Sequence, residues 1–119
     1  MKRRRARIAL TFFVATAAAA PSDTEQARID RLIGAVAARG ECRFIRNGRE
    51  YAASDAATFL RRKMQSMGGR VGTAQDFIEQ IASKSSTSGE PYLIRYGDGR
   101  EATSERFLRA ELARIVAGY

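Results

Sequence analysis

The sequence CRFIRNGREYAA at residues 42–53 predicts a β-hairpin and is the strongest local fold signal in the chain. Its Asn-Gly pair lies between two short runs, and both residues tolerate the positive φ of a two-residue type I′ turn. A turn of this length pairs Phe44 with Tyr51. It also pairs Cys42 with Ala53 and places all four side chains on one face. We predict that this is the core face, so Cys42 is interpreted first as a small buried residue.

Helical periodicity flanks the hairpin on both sides, because apolar residues recur every three or four positions. The predicted helices cover about residues 23–39, 55–67, 74–82 and 105–116. Their predicted N-terminal caps are Ser22, Ser54, Thr73 and Ser104. Glu25 lies three residues after the first cap and Asp76 three residues after the third, which is the spacing of a capping box or a related acidic first turn.

The stretch from Ser83 to Tyr96 joins a hydroxyl-rich loop to an apolar run, with a Gly and a Pro between them. Residues 92–96 are predicted to form a third strand, and residues 100–102 are compatible with a short fourth strand after a Gly-Asp-Gly turn. The sequence therefore predicts an α+β fold. A small antiparallel sheet, made of the hairpin and a third strand with or without a fourth, packs against about four α-helices.

Residues 1–19 have the three parts of a secretory signal peptide, which are a basic start, an apolar run and a small-residue exit. Small residues at Ala17 and Ala19 predict cleavage between Ala19 and Ala20. The apolar run is shorter than the roughly 20 residues that a membrane-spanning helix needs. We therefore expect a periplasmic protein in which residues 20–119 form a single α+β domain without a membrane span.

The charge balance depends on whether this segment is removed. The whole chain has 21 basic and 13 acidic residues, for a net charge of +8. Five basic residues and no acidic ones lie in residues 1–19, so 16 basic and 13 acidic residues remain and the net charge becomes +3. The remaining basic residues alternate with acidic ones along the predicted helices, which is typical of a solvated surface. We therefore expect no nucleic-acid partner.

The residue types exclude several classes of chemistry. The chain has no His, and Cys42 is its single Cys. Imidazole-dependent triads, Cys–His pairs and structural zinc sites are therefore excluded. In an exported protein, Cys42 is either buried and inert or available for a disulfide with a second molecule. We expect no metal site, no cofactor and no catalytic residues, and the sequence favours a protein that is not an enzyme.

Two charged residues, Lys63 and Glu111, fall inside the apolar arcs of the second and last predicted helices. Lys63 has two interpretations. Its stem lies along the core with the ammonium reaching solvent, or it is held in a cleft, paired or facing a ligand. A third arrangement places Lys63 and Glu111 in a structural pair across the core, which would specify the packing rather than add stability.

Three functions remain open. The favoured one is a binding module for a small anionic or peptide-like ligand, in which loop hydroxyls and amides supply donors and basic side chains supply charge. The predicted ligand-binding residues are Arg46, Lys63, Ser85, Ser86, Ser88, Gly89 and Tyr92. The alternative is an interaction or structural protein of the envelope, of undetermined oligomeric state, that uses a strand edge or the hairpin tip at residues 46–49. The third is a hydrolase in which Lys63 activates one of these serines.

Four ordered motifs carry a resemblance to a known family. They are CRFIRNG at 42–48, LRRK at 60–63, TAQDFI at 73–78 and ASKSSTSGEPY at 82–92. Together they resemble the YfeK-like family of small exported bacterial proteins, over nearly all of the predicted mature chain. This family is of unknown function, so the resemblance implies an exported location and no activity. The family often has a His at the places that Tyr51 and Phe59 occupy here, so it implies no imidazole chemistry for this chain.

Overall fold

The computed structural model describes residues 20–118, so the predicted signal peptide and its cleavage after Ala19 lie outside the described residues. The helices are α1 (Asp23–Ala37), α2 (Ala53–Met67), α3 (Ala74–Gln80) and α4 (Ser104–Val116). The strands are β1 (Arg43–Arg46), β2 (Arg49–Ala52), β3 (Leu93–Arg95) and β4 (Glu101–Thr103). This arrangement confirms the predicted α+β fold. No helix of residues 20–118 is long and apolar enough to cross a membrane.

The β1–β2 hairpin forms with the predicted register. Phe44 is paired with Tyr51, and the tip residues Asn47 and Gly48 have φ values of 51° and 79°. These positive values are what a type I′ turn requires, and Asn and Gly are the residues that adopt them at least cost. Local turn chemistry is therefore sufficient to determine this part of the sheet.

The sheet has the strand order β2-β1-β3-β4, and every neighbouring pair is antiparallel. Phe44 is paired with Ile94 of β3, and Ile94 is paired with Ala102 of β4. These residues share one face because side chains alternate along a strand. The short fourth strand is thus present, one residue later than the sequence suggested.

The core lies between this face and the helices, where α1 contacts all three other helices. Its largest fully buried apolar side chains are Ile29, Leu32, Val36, Val71, Phe77, Ile78, Ile81, Ile94 and Leu108. Each such side chain stabilises the fold by about 1.5–3 kcal/mol when it leaves water. Cys42 has no exposed surface, which confirms its interpretation as a buried residue.

Two of the predicted helix caps are confirmed. The Ser22 hydroxyl accepts a hydrogen bond from the Glu25 amide at 3.2 Å, and Thr73 accepts one from the Asp76 amide at 3.0 Å. The Glu25 carboxylate does not return to the Ser22 amide as in a full capping box. Instead it accepts from the Ala74 amide at 2.8 Å, which joins the first turns of α1 and α3.

The other two predicted caps, Ser54 and Ser104, are wrong by one or two residues. Helix α2 begins directly after β2, so its cap is Ala52, whose backbone is extended and whose side chain makes no capping hydrogen bond. Helix α4 begins directly after β4, and the cap is Thr103, whose hydroxyl accepts from the Arg106 amide at 3.1 Å. In both cases the last strand residue already has the extended backbone that a cap position needs.

Candidate functional site

A cleft lies between α2 and the loop of residues 84–92, and the loop is closed at its base. A backbone bridge joins Lys84 to Pro91, and the Ser85 amide donates to the Glu90 carbonyl at 2.9 Å. These bonds hold the loop in one conformation against the helix. A loop held in this way can present its polar groups at defined positions, which is what a binding site requires.

The cleft has a volume of about 280 Å³. The residues predicted from sequence that line it are Arg46, Lys63, Ser85, Ser86 and Tyr92. The lining residues that sequence reasoning missed are Phe59, Arg62, Ser66, Met67 and Thr87. A concave surface that joins Lys63 to the serine loop is the geometry expected of a ligand site rather than of a flat contact surface.

Four of the missed residues belong to one stripe of α2. Phe59, Ser66 and Met67 lie three or four residues from Lys63. Arg62 lies three residues after Phe59 and four before Ser66, so the group shares one side of the helix. Met67 is 51% exposed and forms part of the cleft wall. The helical spacing around Lys63 is the signal that could have identified this group.

Lys63 is held inside the protein, with only 6% of its surface exposed. Its ammonium donates hydrogen bonds to the Tyr92 hydroxyl and to the Lys84 carbonyl, both at 2.9 Å. Burial lowers the pKa of Lys63, and the nearby Arg46 guanidinium lowers it further. Lys63 is therefore held in the cleft by neutral oxygen atoms rather than extended over the surface into open solvent.

The predicted structural pair between Lys63 and Glu111 is not formed. The Glu111 carboxylate lies 3.4 Å from the Arg114 guanidinium and lines a different depression. The physical reason is the placement of α4, which packs mainly against α1 and α3 and against its own neighbouring strands. An inward-facing acid and an inward-facing base therefore meet different partners.

Ser85 supports the loop rather than offering a free hydroxyl. It is only 4% exposed, and its hydroxyl oxygen accepts from the Thr87 amide, the Ser88 amide and the Asn47 side-chain amide, each at 3.3 Å. Ser88 donates to the Asn47 side-chain carbonyl, so Asn47 at the hairpin tip holds the loop by two contacts. Neither Ser88 nor Gly89, both predicted to bind ligand, lines the cleft, and Gly89 instead occupies a turn with φ of 77°.

A Ser/Lys hydrolase requires a hydrogen bond between Lys63 and a nucleophilic serine. The Ser85 and Ser88 hydroxyls are engaged with the loop and the hairpin tip, and the Ser86 hydroxyl contacts the Met67 sulfur at 3.6 Å. The hydroxyl that Lys63 contacts belongs to Tyr92. Within residues 20–118, the arrangement that this alternative requires is therefore not present.

The cleft carries positive charge without a balancing carboxylate. Its lining includes three cations, Arg46, Arg62 and Lys63, and no Asp or Glu. None of the three forms an ion pair within the described part of the chain. The Arg46 guanidinium lies 4.5 Å from the centre of the Phe59 ring and donates to the Tyr51 hydroxyl at 3.0 Å. Neutral aromatic contacts position Arg46 while its charge remains available.

Tyr92 gives the cleft a further hydrogen-bond donor. Burial raises the pKa of its phenol, so the hydroxyl stays protonated at neutral pH. Its oxygen accepts from Lys63, which leaves its own O–H free to donate to a molecule in the cleft. The exposed residues Ser86 and Thr87, which belong to the same loop, add two further hydroxyls to the lining. Such a set of donors and cations is suited to holding a carboxylate or another small anion.

Comparisons with known proteins agree with the resemblance described above. The model of a "Family of unknown function (DUF5329)" matches residues 23–116. The "Uncharacterized protein YfeK" of Salmonella typhimurium is 38% identical over 68 residues, and this match spans 57% of each chain. No solved structure matches the chain. The chain therefore belongs to the DUF5329 family, whose function is unknown, and it is similar to YfeK.

Proposed function

We propose that the protein is a non-enzymatic binding module that holds a small anionic or peptide-like ligand in the cleft between α2 and residues 84–92. We further propose that it acts in the periplasm after removal of residues 1–19. The observation that carries the binding proposal is the charge of the cleft. Arg46, Arg62 and Lys63 line it without an ion-pair partner among residues 20–118.

The buried ammonium of Lys63 supports the proposal most directly. A charge that leaves water loses solvation free energy, and folded proteins normally offset that loss with an opposite charge. Lys63 has two oxygen partners, both neutral, and Arg46 repels it. An anion in the cleft would supply the absent counter-charge and favour the protonated form of Lys63.

The shape and lining of the cleft indicate the size and character of the ligand. Its volume of about 280 Å³ is just below the range of about 300–1,000 Å³ that is usual for small-molecule pockets. Phe59 and Met67 add apolar wall beside the cations and hydroxyls. We therefore propose a ligand with one anionic group and a small apolar or peptide-like portion.

The test is an NMR titration with N-acetyl-L-alanine, a small peptide-like carboxylate, and with its uncharged N-methylamide. We expect amide shifts in residues 62–67 and 84–88 with the carboxylate and none with the amide. Arg62→Gln should weaken the binding about five- to tenfold, because it removes one charge-assisted contact. Arg61→Gln is the matched control, since Arg61 is exposed on the same helix and does not line the cleft.

Two results would contradict the binding proposal. Equal binding of the carboxylate and the amide would show that the charge of the cleft does not select the ligand. Equal weakening by Arg62→Gln and Arg61→Gln would show that the anion does not bind in the cleft but responds only to the charge of α2.

Export is tested separately by the intact mass of protein recovered without reductant from the envelope of its producer. We expect a chain that begins at Ala20 and has a free thiol at Cys42, because this side chain is buried. A mass that retains Met1 would contradict export and would restore the net charge of +8 to the functional protein.

A further inference from the structure

An apolar cavity lies directly behind the cleft. It has a volume of about 50 Å³ and sits between the inward face of the sheet and the helices. Its walls include Val36, Phe44, Ala56, Leu60, Ala82 and Leu108, all of which are buried. Cavities of this composition stay dry when empty and accept apolar groups.

The mouth of this cavity carries a positive charge. Among the residues that line it, only Arg46, Tyr51 and Phe59 are partly exposed, so the cavity opens between these three side chains. The Arg46 guanidinium lies 4.5 Å from the centre of the Phe59 ring and 5.3 Å from that of Tyr51. A cation therefore stands at the entrance to a space that is itself apolar.

The cleft and the cavity share three lining residues, which are Arg46, Phe59 and Tyr92. A single small molecule that lies against these residues can therefore contact both spaces. We infer that the ligand is a short straight-chain carboxylate, with its carboxylate at Arg46 and Lys63 and its aliphatic chain in the cavity. This inference rests on the proposed function, since it requires that the cleft binds an anion.

The size of the cavity limits the length of the chain. An apolar cavity of about 150 Å³ holds the six carbon atoms of benzene, so a cavity of about 50 Å³ has room for about two or three carbon atoms. Each methylene that leaves water should increase the affinity about fourfold. With the carboxyl carbon and one or two carbons that pass the mouth added, acids of about four to six carbons should fill the cavity, and longer acids should gain nothing more.

The experiment is a calorimetric titration of the protein with acetate, butyrate, hexanoate and octanoate. We expect the affinity to rise about fourfold per methylene from acetate to hexanoate and to level off at octanoate. Ala56→Val places two methyl groups at the cavity wall and should lower hexanoate affinity about tenfold without changing acetate affinity. Ala57→Val is the matched control, because Ala57 is buried on the same helix but does not line the cavity.

The outcomes separate this inference from the proposed function. Equal affinity for acetate and hexanoate, with N-acetyl-L-alanine still bound, would overturn the inference and leave the anion site in place. Failure of every one of these anions to bind would overturn both. Equal loss of hexanoate affinity in Ala56→Val and Ala57→Val would place the chain outside the cavity and overturn the inference. If thermal melting shows that Ala56→Val is unfolded, the chain-length series on the unaltered protein decides whether the aliphatic chain enters the cavity.

Discussion

Two basic concave surfaces of the described chain differ in how their cations are balanced. The first is the cleft, where none of the three cations has a carboxylate partner among residues 20–118. The second is a depression of about 390 Å³ beside α4, which we call the arginine groove. The arginines that line the groove are Arg39, Arg100, Arg106 and Arg114. All of these except Arg106 have a carboxylate oxygen within 3.4 Å.

The arginines of the groove have structural partners of their own. The Arg39 guanidinium lies 5.6 Å from the centre of the Tyr96 ring and 5.4 Å from that of Phe107, so it packs against aromatic faces. Arg100 holds the pKa of Asp98 below its usual range by hydrogen bonding to the carboxylate. This comparison shows that a count of basic residues does not locate an anion site. An anion site is located instead by cations that have no carboxylate nearby. A cation that already has a carboxylate partner gains little free energy by binding a further anion.

Replacing Lys63 should produce the largest change in the anion affinity of the cleft. Lys63→Met should lower the affinity for N-acetyl-L-alanine about 10- to 100-fold, since a hydrogen bond from a charged group contributes about 1.5–3 kcal/mol. Titration calorimetry measures the change. Lys84→Met is the matched control, because the Lys84 side chain is exposed and does not line the cleft. Equal weakening by both variants would remove the distinction between the cleft and the rest of the basic surface.

The pH dependence of binding tests the same group without altering the fold. The pKa of Lys63 is lowered from its ordinary value of 10.5, and the anion favours the protonated form. Affinity should therefore be full below this lowered pKa and should fall as pH rises through it, so the fall begins below pH 10.5. Lys63→Met should show no such fall between neutral pH and pH 10. A flat profile in the unaltered protein would contradict the role given to Lys63.

Asn47 tests whether the cleft depends on the anchored loop. Asn47→Ala should lower the free energy of unfolding by about 1–3 kcal/mol, because it puts Ala at a positive φ and removes the contacts with Ser85 and Ser88. Asn47→Gly removes the same contacts but tolerates the backbone conformation, so it should cost less.

Urea denaturation measures the two unfolding free energies, and the titration with N-acetyl-L-alanine measures binding. We expect both Asn47 variants to lose a few-fold in affinity, since each releases the loop from the hairpin tip. Unchanged affinity in both variants would mean that the loop keeps its place in the cleft without the contacts from Asn47. Equal stability of the two variants would contradict the role of the positive φ.

The smallest effect is expected in the arginine groove. Arg100→Gln removes an exposed cation whose Nε lies 2.8 Å from the Asp98 carboxylate, and exposed ion pairs contribute little. Titration calorimetry should give the same affinity for N-acetyl-L-alanine as in the unaltered protein. A loss as large as that of Arg62→Gln would mean that the anion responds to the total charge rather than to the unbalanced cleft.

Much of the fold could be predicted because its signals are local. Asn47 and Gly48 specify the hairpin turn, and that turn determines the pairing of Phe44 with Tyr51. The helices follow from the spacing of apolar residues within each one. The prediction of Ser54 and Ser104 as caps was wrong because two strands run directly into helices, and no sequence pattern marks a residue that ends one element and caps the next.

The candidate site could be predicted only in part. Lys63 was identified because a charged residue stands on an apolar arc, and the serine loop because it is rich in hydroxyls. The partner proposed for Lys63 was Glu111, since both residues face inward on their helices. Periodicity describes the direction of a side chain on its own helix, but it carries no information on which helices are neighbours.

The sequence by itself determined the turn, the helices and the absence of imidazole chemistry, because each depends on residue types or on spacings within one short segment; the export signal is a prediction of the same local kind. Only the tertiary structure decided that Lys63 meets Lys84 and Tyr92, which are 21 and 29 residues away. It also decided that the cations of the cleft lack carboxylate partners within residues 20–118 and that an apolar cavity lies behind them. Charge balance and cavity shape are sums over side chains from distant segments, so they exist only once those segments have packed together.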